Sequence, residues 1–258
     1  MIPLSQNQHK FIRSLQFKKG RDLENRFLVE GVRLCEEVLN SDHQVNYLII
    51  SETLRHSERI LQLLEKSRAR KLPIYVTDEK KFNTLSDTQT PQGIACVAAK
   101  KEQPADLKSG SLLLGLDAIR DPGNMGTMIR TADWFGLDGI FASADTVDIY
   151  NPKVIRGTMG ALFHVPVKEN VTLYDELVVL KQNNFKIIGT VSEDGIPLAQ
   201  FKKQEKTVLL IGNEAQGLAP ELDSIIDSNI CITRKGKGES LNAAIAAGIF
   251  LYHLTKDN

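Results

Sequence analysis

No apolar run in this chain of 258 residues reaches membrane-spanning length, which excludes a helical integral membrane protein. The first fifteen residues, MIPLSQNQHKFIRSL, lack the apolar core of a secretory signal. Cysteine is scarce. Cys35, Cys96 and Cys231 form no Cys-x-x-Cys pair, and their odd number points to buried free thiols in a reducing cytoplasm. The five histidines (His9, His43, His56, His164, His253) show no ligand spacing, so no metal is expected. The P-loop pattern G-x-x-x-x-G-K-S/T does not occur, and no G-x-G-x-x-G opens a helix after a strand, which counts against an ordinary nucleotide-binding enzyme. Net charge is also missing, with 32 Lys+Arg against 32 Asp+Glu, and by itself this disfavours a nucleic-acid partner.

The charge distribution modifies that reading. Residues 1–105 hold 17 Lys+Arg against 13 Asp+Glu, leaving 15 against 19 for the rest. Lys10, Arg13, Lys18, Lys19 and Arg21 fall within twelve residues that contain no acid. A basic arm of this kind is how phosphate is usually met, although a solvated amphipathic helix has the same composition.

In chain order, residues 5–19 read as a short helix with Phe11, Ile12 and Leu15 on one side. Strands are expected at Arg26–Glu30, Val45–Ser51, Pro73–Thr77 and Gly93–Ala99, with helices at Gly31–Leu39 and Glu58–Ser67 between them. This alternation predicts a small α/β sandwich. Lys100–Gly110 (KKEQPADLKSG) is charged, aperiodic and broken by Pro and Gly, so the chain divides near residue 105 into domains 1–105 and 106–258. Beyond it come strands Leu112–Leu116, Gly139–Ala142, Val165–Val167, Phe185–Val191, Thr207–Gly212 and Asn229–Thr233, with helices Asn124–Phe135, Asn151–Thr158, Thr172–Gln182 and Ser240–Leu254. A mostly parallel sheet covered on both faces follows.

Three stretches of the second domain carry chemistry. In Leu112–Gly136, a buried strand ends in Asp121-Pro122-Gly123, Asn124 stands where an N-cap belongs, and Arg130 lies off the apolar helix face. In Leu209–Glu221, an apolar strand stops at Gly212, and Asn213 and Glu214 follow at its carboxyl end. Ligands bind there in open α/β sheets, and Glu214 is placed to orient Arg130, though a surface turn carries such a Glu equally well. In Ile232–Leu251, Ser240 reads as an N-cap ahead of a nearly all-apolar helix, and Asn242 in its first turn needs a partner if buried.

Asn124-x-Gly126-x-x-x-Arg130-Thr131-Ala132, Gly212-Asn213-Glu214-x-x-Gly217-Leu218 and Ser240-Leu241-Asn242-x-x-x-Ala246, in this order, resemble the three motifs of the SpoU (TrmH-like) RNA ribose methyltransferases of the SPOUT class. The segment Asn151–Ala161 (NPKVIRGTMGA) is similar to the family's stretch between its first two motifs. Residues 1–100 are similar, more loosely, to the ribosomal-protein-like substrate-binding domain many members carry in front. The third motif departs in detail, with Ile232-Thr233-Arg234 for Ile-Pro-Met and Ala243-Ala244 for Val-Ser.

The resemblance implies a C-terminal trefoil knot, a rare exception to unknotted topology. It implies S-adenosylmethionine bound near Thr190, Val191, Gly212, Asn213, Ile232, Leu241 and Asn242, a homodimer with sites at its interface, and methyl transfer to an RNA ribose 2′-hydroxyl. Catalytic roles fall on Arg130, Asn124, Glu214, Ser240 and Asn242, with Asn124 and Glu214 holding the Arg130 guanidinium. The front domain favours ribosomal RNA over transfer RNA. Two other readings stand beside this one: a non-catalytic RNA-binding or ribosome-assembly protein on the same fold, and an enzyme acting on a small metabolite.

Overall fold

A computed structural model describes residues 1–54, 57–101 and 106–256. His56 and the expected domain boundary at residue 105 lie outside the described residues. The chain forms two compact units, Met1–Glu102 with Tyr150–Phe163, and Gln103–Ile149 with His164–Asn258.

The first unit contains β1 (Ile2–Pro3), α1 (Gln6–Ser14), α2 (Lys18–Glu24), β2 (Arg26–Glu30), α3 (Val32–Asn40), β3 (Val45–Ser51), α4 (Glu58–Ala69), β4 (Ile74–Thr77), α5 (Glu79–Asn83) and β5 (Ile94–Ala99). Its sheet runs β1-β4-β3-β5-β2, antiparallel where β5 meets β2 and β3, parallel elsewhere. Ile12 and Leu15 of the first helical segment and Phe82 and Leu85 pack on Leu28, Ile49, Ala95 and Val97. Alternation along each strand sends the remaining apolar residues to the opposite face, where α3 packs on β2 and β5.

The expected single helix over residues 5–19 is two. Ser5 and Gln8 close a capping box on α1, and the chain turns after Ser14. Gly20 is required at that turn, because a Cβ there would sit 2.1 Å from the Ser14 carbonyl oxygen. The close approach buries Arg21, whose guanidinium donates to the carbonyls of Leu15 (2.9 Å) and Gln16 (3.0 Å) at the end of α1.

The second half of the chain continues with β6 (Leu112–Leu116), α6 (Pro122–Trp134), β7 (Gly139–Ser143), α7 (Pro152–Thr158), β8 (Val167–Val171), α8 (Leu173–Gln182), β9 (Lys186–Thr190), β10 (Ile196–Pro197), β11 (Thr207–Ile211), β12 (Ser228–Cys231) and α9 (Ala243–Thr255). Of these, α7 belongs to the first unit. It packs on β2, Arg156 forms an ion pair with Asp87, and the Tyr150 ring lies 4.6 Å from that of Phe27. The expected assignment of residues 150–163 to the second domain is therefore corrected. A contiguous division cannot anticipate a segment that returns through long-range packing.

The other strands make a seven-stranded sheet, β10-β12-β9-β11-β6-β7-β8, with every pairing parallel. Leu112–Leu116 and Thr207–Ile211 are buried along their whole length, as strands covered on both faces require. One face carries α8, with Leu177 and Leu180 against Leu113, Phe141, Ile187, Val208 and Leu210. α6 and α9 pack against each other, and each buries one apolar stripe. All three cysteines are buried free thiols.

Two carboxylates tie strand starts in this unit. Asp138 accepts from the N–H groups of Ser111 (2.7 Å) and Leu112 (3.0 Å), and Asp227 from that of Ile187 (2.8 Å). Burial pushes both carboxyls up, but these N–H donors, with Lys181 beside Asp227, outweigh it and leave both below the ordinary aspartate value. Their stabilisation is thus full above about pH 4 and lost as pH falls through the lowered native values. Acid titration of the unfolding midpoint should show this loss below about pH 4. Asp138→Asn should flatten it; an unchanged slope would contradict the assignment.

Candidate active site

Because all seven strands are parallel, the carboxyl ends of β6, β9, β11 and β12 lie along one edge. Successive strands β6, β7 and β8 step one way across the sheet, and β9, β11 and β12 lie on the other side of β6. The reversal falls between β6 and β11, and such switch points open a crevice where ligands bind. The segments after β6 and β11 meet there.

Asp117 continues β6, and its buried carboxylate accepts from the Ala219 N–H at 2.8 Å. Ala118 adopts a left-handed conformation (φ 51°) and turns its carbonyl to the Asn213 side chain, which donates to it at 2.9 Å. The Asn213 carboxamide oxygen also accepts from the N–H groups of Ala215 and Gln216, and its backbone pairs twice with Gly217 at 2.9 Å. The result is a tight loop over residues 212–217. Gly212 faces the backbone of Gly217 and Leu218 so closely that a Cβ would lie 2.3–2.5 Å from their atoms.

The N-cap of α6 is Asp121, which accepts from the Asn124 N–H at 2.7 Å, and not Asn124 as the sequence suggested. Pro122 at the first helical position needs no N–H acceptor, so the helix starts earlier than Asn124. This frees the Asn124 side chain. Its Nδ2 donates to Glu214 Oε1 at 2.5 Å, and its Oδ1 accepts from Asn242 Nδ2 at 2.8 Å. Asn242 is itself the N-cap of α9, accepting from the N–H groups of Ala244 and Ile245. A chain of hydrogen bonds thus runs from the loop after β11 through α6 to the start of α9.

Three expected contacts are corrected. Asn124 and Glu214 bond each other, and neither holds Arg130. Arg130 is exposed on α6 and has no hydrogen bond or ion pair among the described residues. Ser240, exposed ahead of α9, is not its cap and likewise makes no hydrogen bond among the described residues. Asn242 is exposed, so its partners orient it and do not offset burial. Asp117 and Ala118 carried no signal in the sequence; Asp121 was expected only as part of the Asp-Pro-Gly turn, although that pattern also marks a helix start.

The other expected residues lie along the same edge. Thr190 donates its hydroxyl to the Leu210 carbonyl at 2.8 Å, and the Val191 N–H to that of Ile230 at 3.0 Å. Val191 and Ile232 are half-buried and Leu241 is exposed, which leaves apolar side chains free to meet a flat heteroaromatic ring. Next to Gly217 there is open space, with nothing within 4 Å of an added Cβ. A sulfonium cation suits an edge whose carboxylate, Glu214, is pinned in place. The donor set therefore fits S-adenosylmethionine.

In the first unit, Lys10, Arg13, Lys18 and Lys19 are exposed, as RNA contact requires, but Arg21 is not. Arg21 binds two carbonyls of its own chain and cannot reach a phosphate. Arg21→Ala should cost about 2–3 kcal/mol of stability by orphaning charge-assisted hydrogen bonds, with RNA affinity unchanged. Thermal unfolding beside an RNA titration checks both; a stable variant that binds RNA weakly would contradict the placement.

Residues 111–252 match the sequence profile of the SpoU rRNA methylase family. The chain belongs to this family. Residues 6–96 match an MRM3-like substrate-binding domain. A Bacillus subtilis protein named as the 23S rRNA (guanosine(2553)-2′-O)-methyltransferase RlmP is 37% identical over 94% of this chain and 93% of its own. The AdoMet-bound structure of an rRNA methyltransferase from Sinorhizobium meliloti is 29% identical, covering 98% of this chain and 96% of that one with a TM-score of 0.85. A TrmH-family structure from Porphyromonas gingivalis is 31% identical, with a TM-score of 0.85 over 97% of this chain and 98% of that one. This SpoU-family chain is an S-adenosylmethionine-dependent RNA methyltransferase, and its α/β fold is that of the family.

Proposed function

We propose that the chain methylates a ribose 2′-hydroxyl of ribosomal RNA, working as a homodimer in the cytoplasm, where ribosomal RNA is found. The carrying observation is the Glu214–Asn124–Asn242 link, which joins all three family motifs at the switch point of the sheet. When bound, S-adenosylmethionine supplies an electrophilic methyl group on a sulfonium; Thr190, Val191, Gly212, Asn213, Ile232, Leu241 and Asn242 would hold it. In this reading the segment after β12 threads through a loop of the same unit to make the trefoil knot.

Arg130 is the residue left for the nucleophile. A guanidinium with a pKa above about 12 is no general base. Its fork instead grips the phosphate next to the target ribose and stabilises the alkoxide that develops, while the proton leaves through phosphate or water. Positioning of the hydroxyl supplies much of the remaining rate.

Support for the dimer comes from the side of α9 turned away from the core. Ile245 (57% exposed), Ile249 and Tyr252 (63%) form a stripe at helical spacing, and Trp134 at the end of α6 is 84% exposed. An apolar face of this size next to an unpartnered Arg130 suits a second copy that receives Arg130 into its own site. Ile245→Glu should then yield a monomer in sedimentation and abolish methyl transfer with Arg130 intact; an active monomer would refute the shared site.

Nucleoside analysis of RNA methylated with labelled S-adenosylmethionine tests the reaction. Label in 2′-O-methylnucleosides is expected, and label in base-methylated nucleosides would overturn the reading. The guanosine named for the B. subtilis relative is the first position to inspect.

A further inference from the structure

Residues 233–242, which join β12 to α9, are all exposed, and nothing lies within 4 Å of an added Cβ at Gly236 or Gly238. Packing therefore does not hold this segment. One side chain does. Arg234 pairs through Nη2 with the Glu193 carboxylate and donates through Nη1 to the Gly238 carbonyl at 3.3 Å. Among the described residues, 232–241 make no other hydrogen bond or ion pair. Arg234 also stands where the chain departs from the family's Ile-Pro-Met, so no proline fixes the backbone here. The other partner is pinned. The Val191 N–H donates to the Ile230 carbonyl at 3.0 Å, the Cys231 thiol to that of Gly195 at 3.3 Å, and β10 continues the contact with β12 at Ile196 and Pro197. A Cβ on Gly195 would come within 2.9 Å of the Ile230 backbone, so this turn has no slack. Glu193 is thus carried between two fixed ends.

A segment that lines a ligand site must be ordered when the ligand binds, and that ordering subtracts from affinity. Holding the segment beforehand removes the cost. Ile232 and Leu241, at its two ends, belong to the wall assigned to S-adenosylmethionine, and Val191 lies two residues before Glu193 on the turn after β9. We propose that Arg234 is a positioning residue for the cofactor. Its clasp on Glu193 and Gly238 ties the segment after β12 to the turn after β9, and keeps Ile232 and Leu241 in place before S-adenosylmethionine arrives. The pair is partly exposed, with side chains at 48% and 57%, so solvent screens it and its effect is moderate. The proposal rests on the placement of the cofactor against Ile232 and Leu241.

The test uses the full chain and an endoprotease specific for lysine, because Lys235 and Lys237 lie inside the segment and carry no ion pair among the described residues. Arg234→Met and Glu193→Ala each remove the clasp from an exposed position, so the unfolding midpoint should not move. Without cofactor, cleavage at Lys235 and Lys237 should speed up about fivefold in Arg234→Met and about threefold in Glu193→Ala, the scale of one exposed ion pair. Calorimetric titration should show S-adenosylmethionine affinity lowered by similar factors, and KM for the cofactor should rise by more than turnover falls. The double variant should be no worse than Arg234→Met, because both substitutions break one contact. Saturating S-adenosylmethionine should slow cleavage at both lysines in every variant. Single variants that match wild type in cleavage or in affinity would overturn the proposal, as would losses that multiply in the double variant. If cofactor still protects wild type in that case, its placement stands and the clasp is rejected. Wild-type protein that binds S-adenosylmethionine but gains no protection at Lys235 and Lys237 would overturn the placement itself.

Discussion

Arg130→Lys should lower methyl transfer about 10²–10³-fold while leaving S-adenosylmethionine affinity within about twofold, the range seen when one preorganised donor to a developing oxyanion is lost. Lysine keeps the charge and loses the planar fork, so the substitution separates electrostatic attraction from bidentate grip. The prediction is sharp because Arg130 is exposed and makes no hydrogen bond or ion pair among the described residues. Its removal therefore leaves the Glu214–Asn124–Asn242 link intact and should not change the unfolding midpoint. Single-turnover rates with saturating RNA, beside calorimetric titration of S-adenosylmethionine, give both quantities. Turnover within about threefold of wild type would remove Arg130 from the reaction.

Gly212→Ala should abolish cofactor binding and lower stability by about 1–3 kcal/mol, the usual cost of overpacking. The neighbours a Cβ would strike are backbone atoms of Gly217 and Leu218 at 2.3–2.5 Å, and backbone cannot swing aside like a flexible side chain. The paired N–H and carbonyl groups of Asn213 and Gly217 would have to separate, and Asn213 would lose its hold on the Ala118 carbonyl. Equilibrium binding and thermal unfolding measure the two effects. A variant with wild-type cofactor affinity would mean that the 212–217 loop does not shape the site.

Much of this was legible in the chain, where one physical signal dominated. Arg26–Glu30, Val45–Ser51 and Leu112–Leu116 are strands at the residues expected, because dense apolar runs bounded by polar turns leave little choice. Strand β8 was misplaced, expected at Val165–Val167 and found at Val167–Val171, since VKENV has neither an apolar run nor alternation. The two-residue strands β1 and β10 have too little sequence to signal anything. At the site, motif order pointed to Asn124, Glu214 and Asn242, and the structure joins all three.

The partners within the site were harder to read. Asp121 and Asn124 both make good caps, and the choice between them turns on whether Pro122 and Gly123 enter the helix. Once Asp121 takes that role, Asn124 is free to bridge two distant motifs, a result no local rule contains. Arg21 shows the opposite error. A basic run suggests an exposed face, but Gly20 allows a close helix contact that buries this one member.

The most direct test is transfer of labelled methyl from S-adenosylmethionine to ribosomal subunits and to deproteinised RNA separated by size, with wild type beside Arg130→Ala. Label in ribosomal RNA with wild type and none with Arg130→Ala is the predicted result. Label confined to transfer RNA would contradict the substrate, and equal labelling by both proteins would contradict the role of Arg130. No label in either preparation, from protein that binds S-adenosylmethionine, would contradict the proposed reaction.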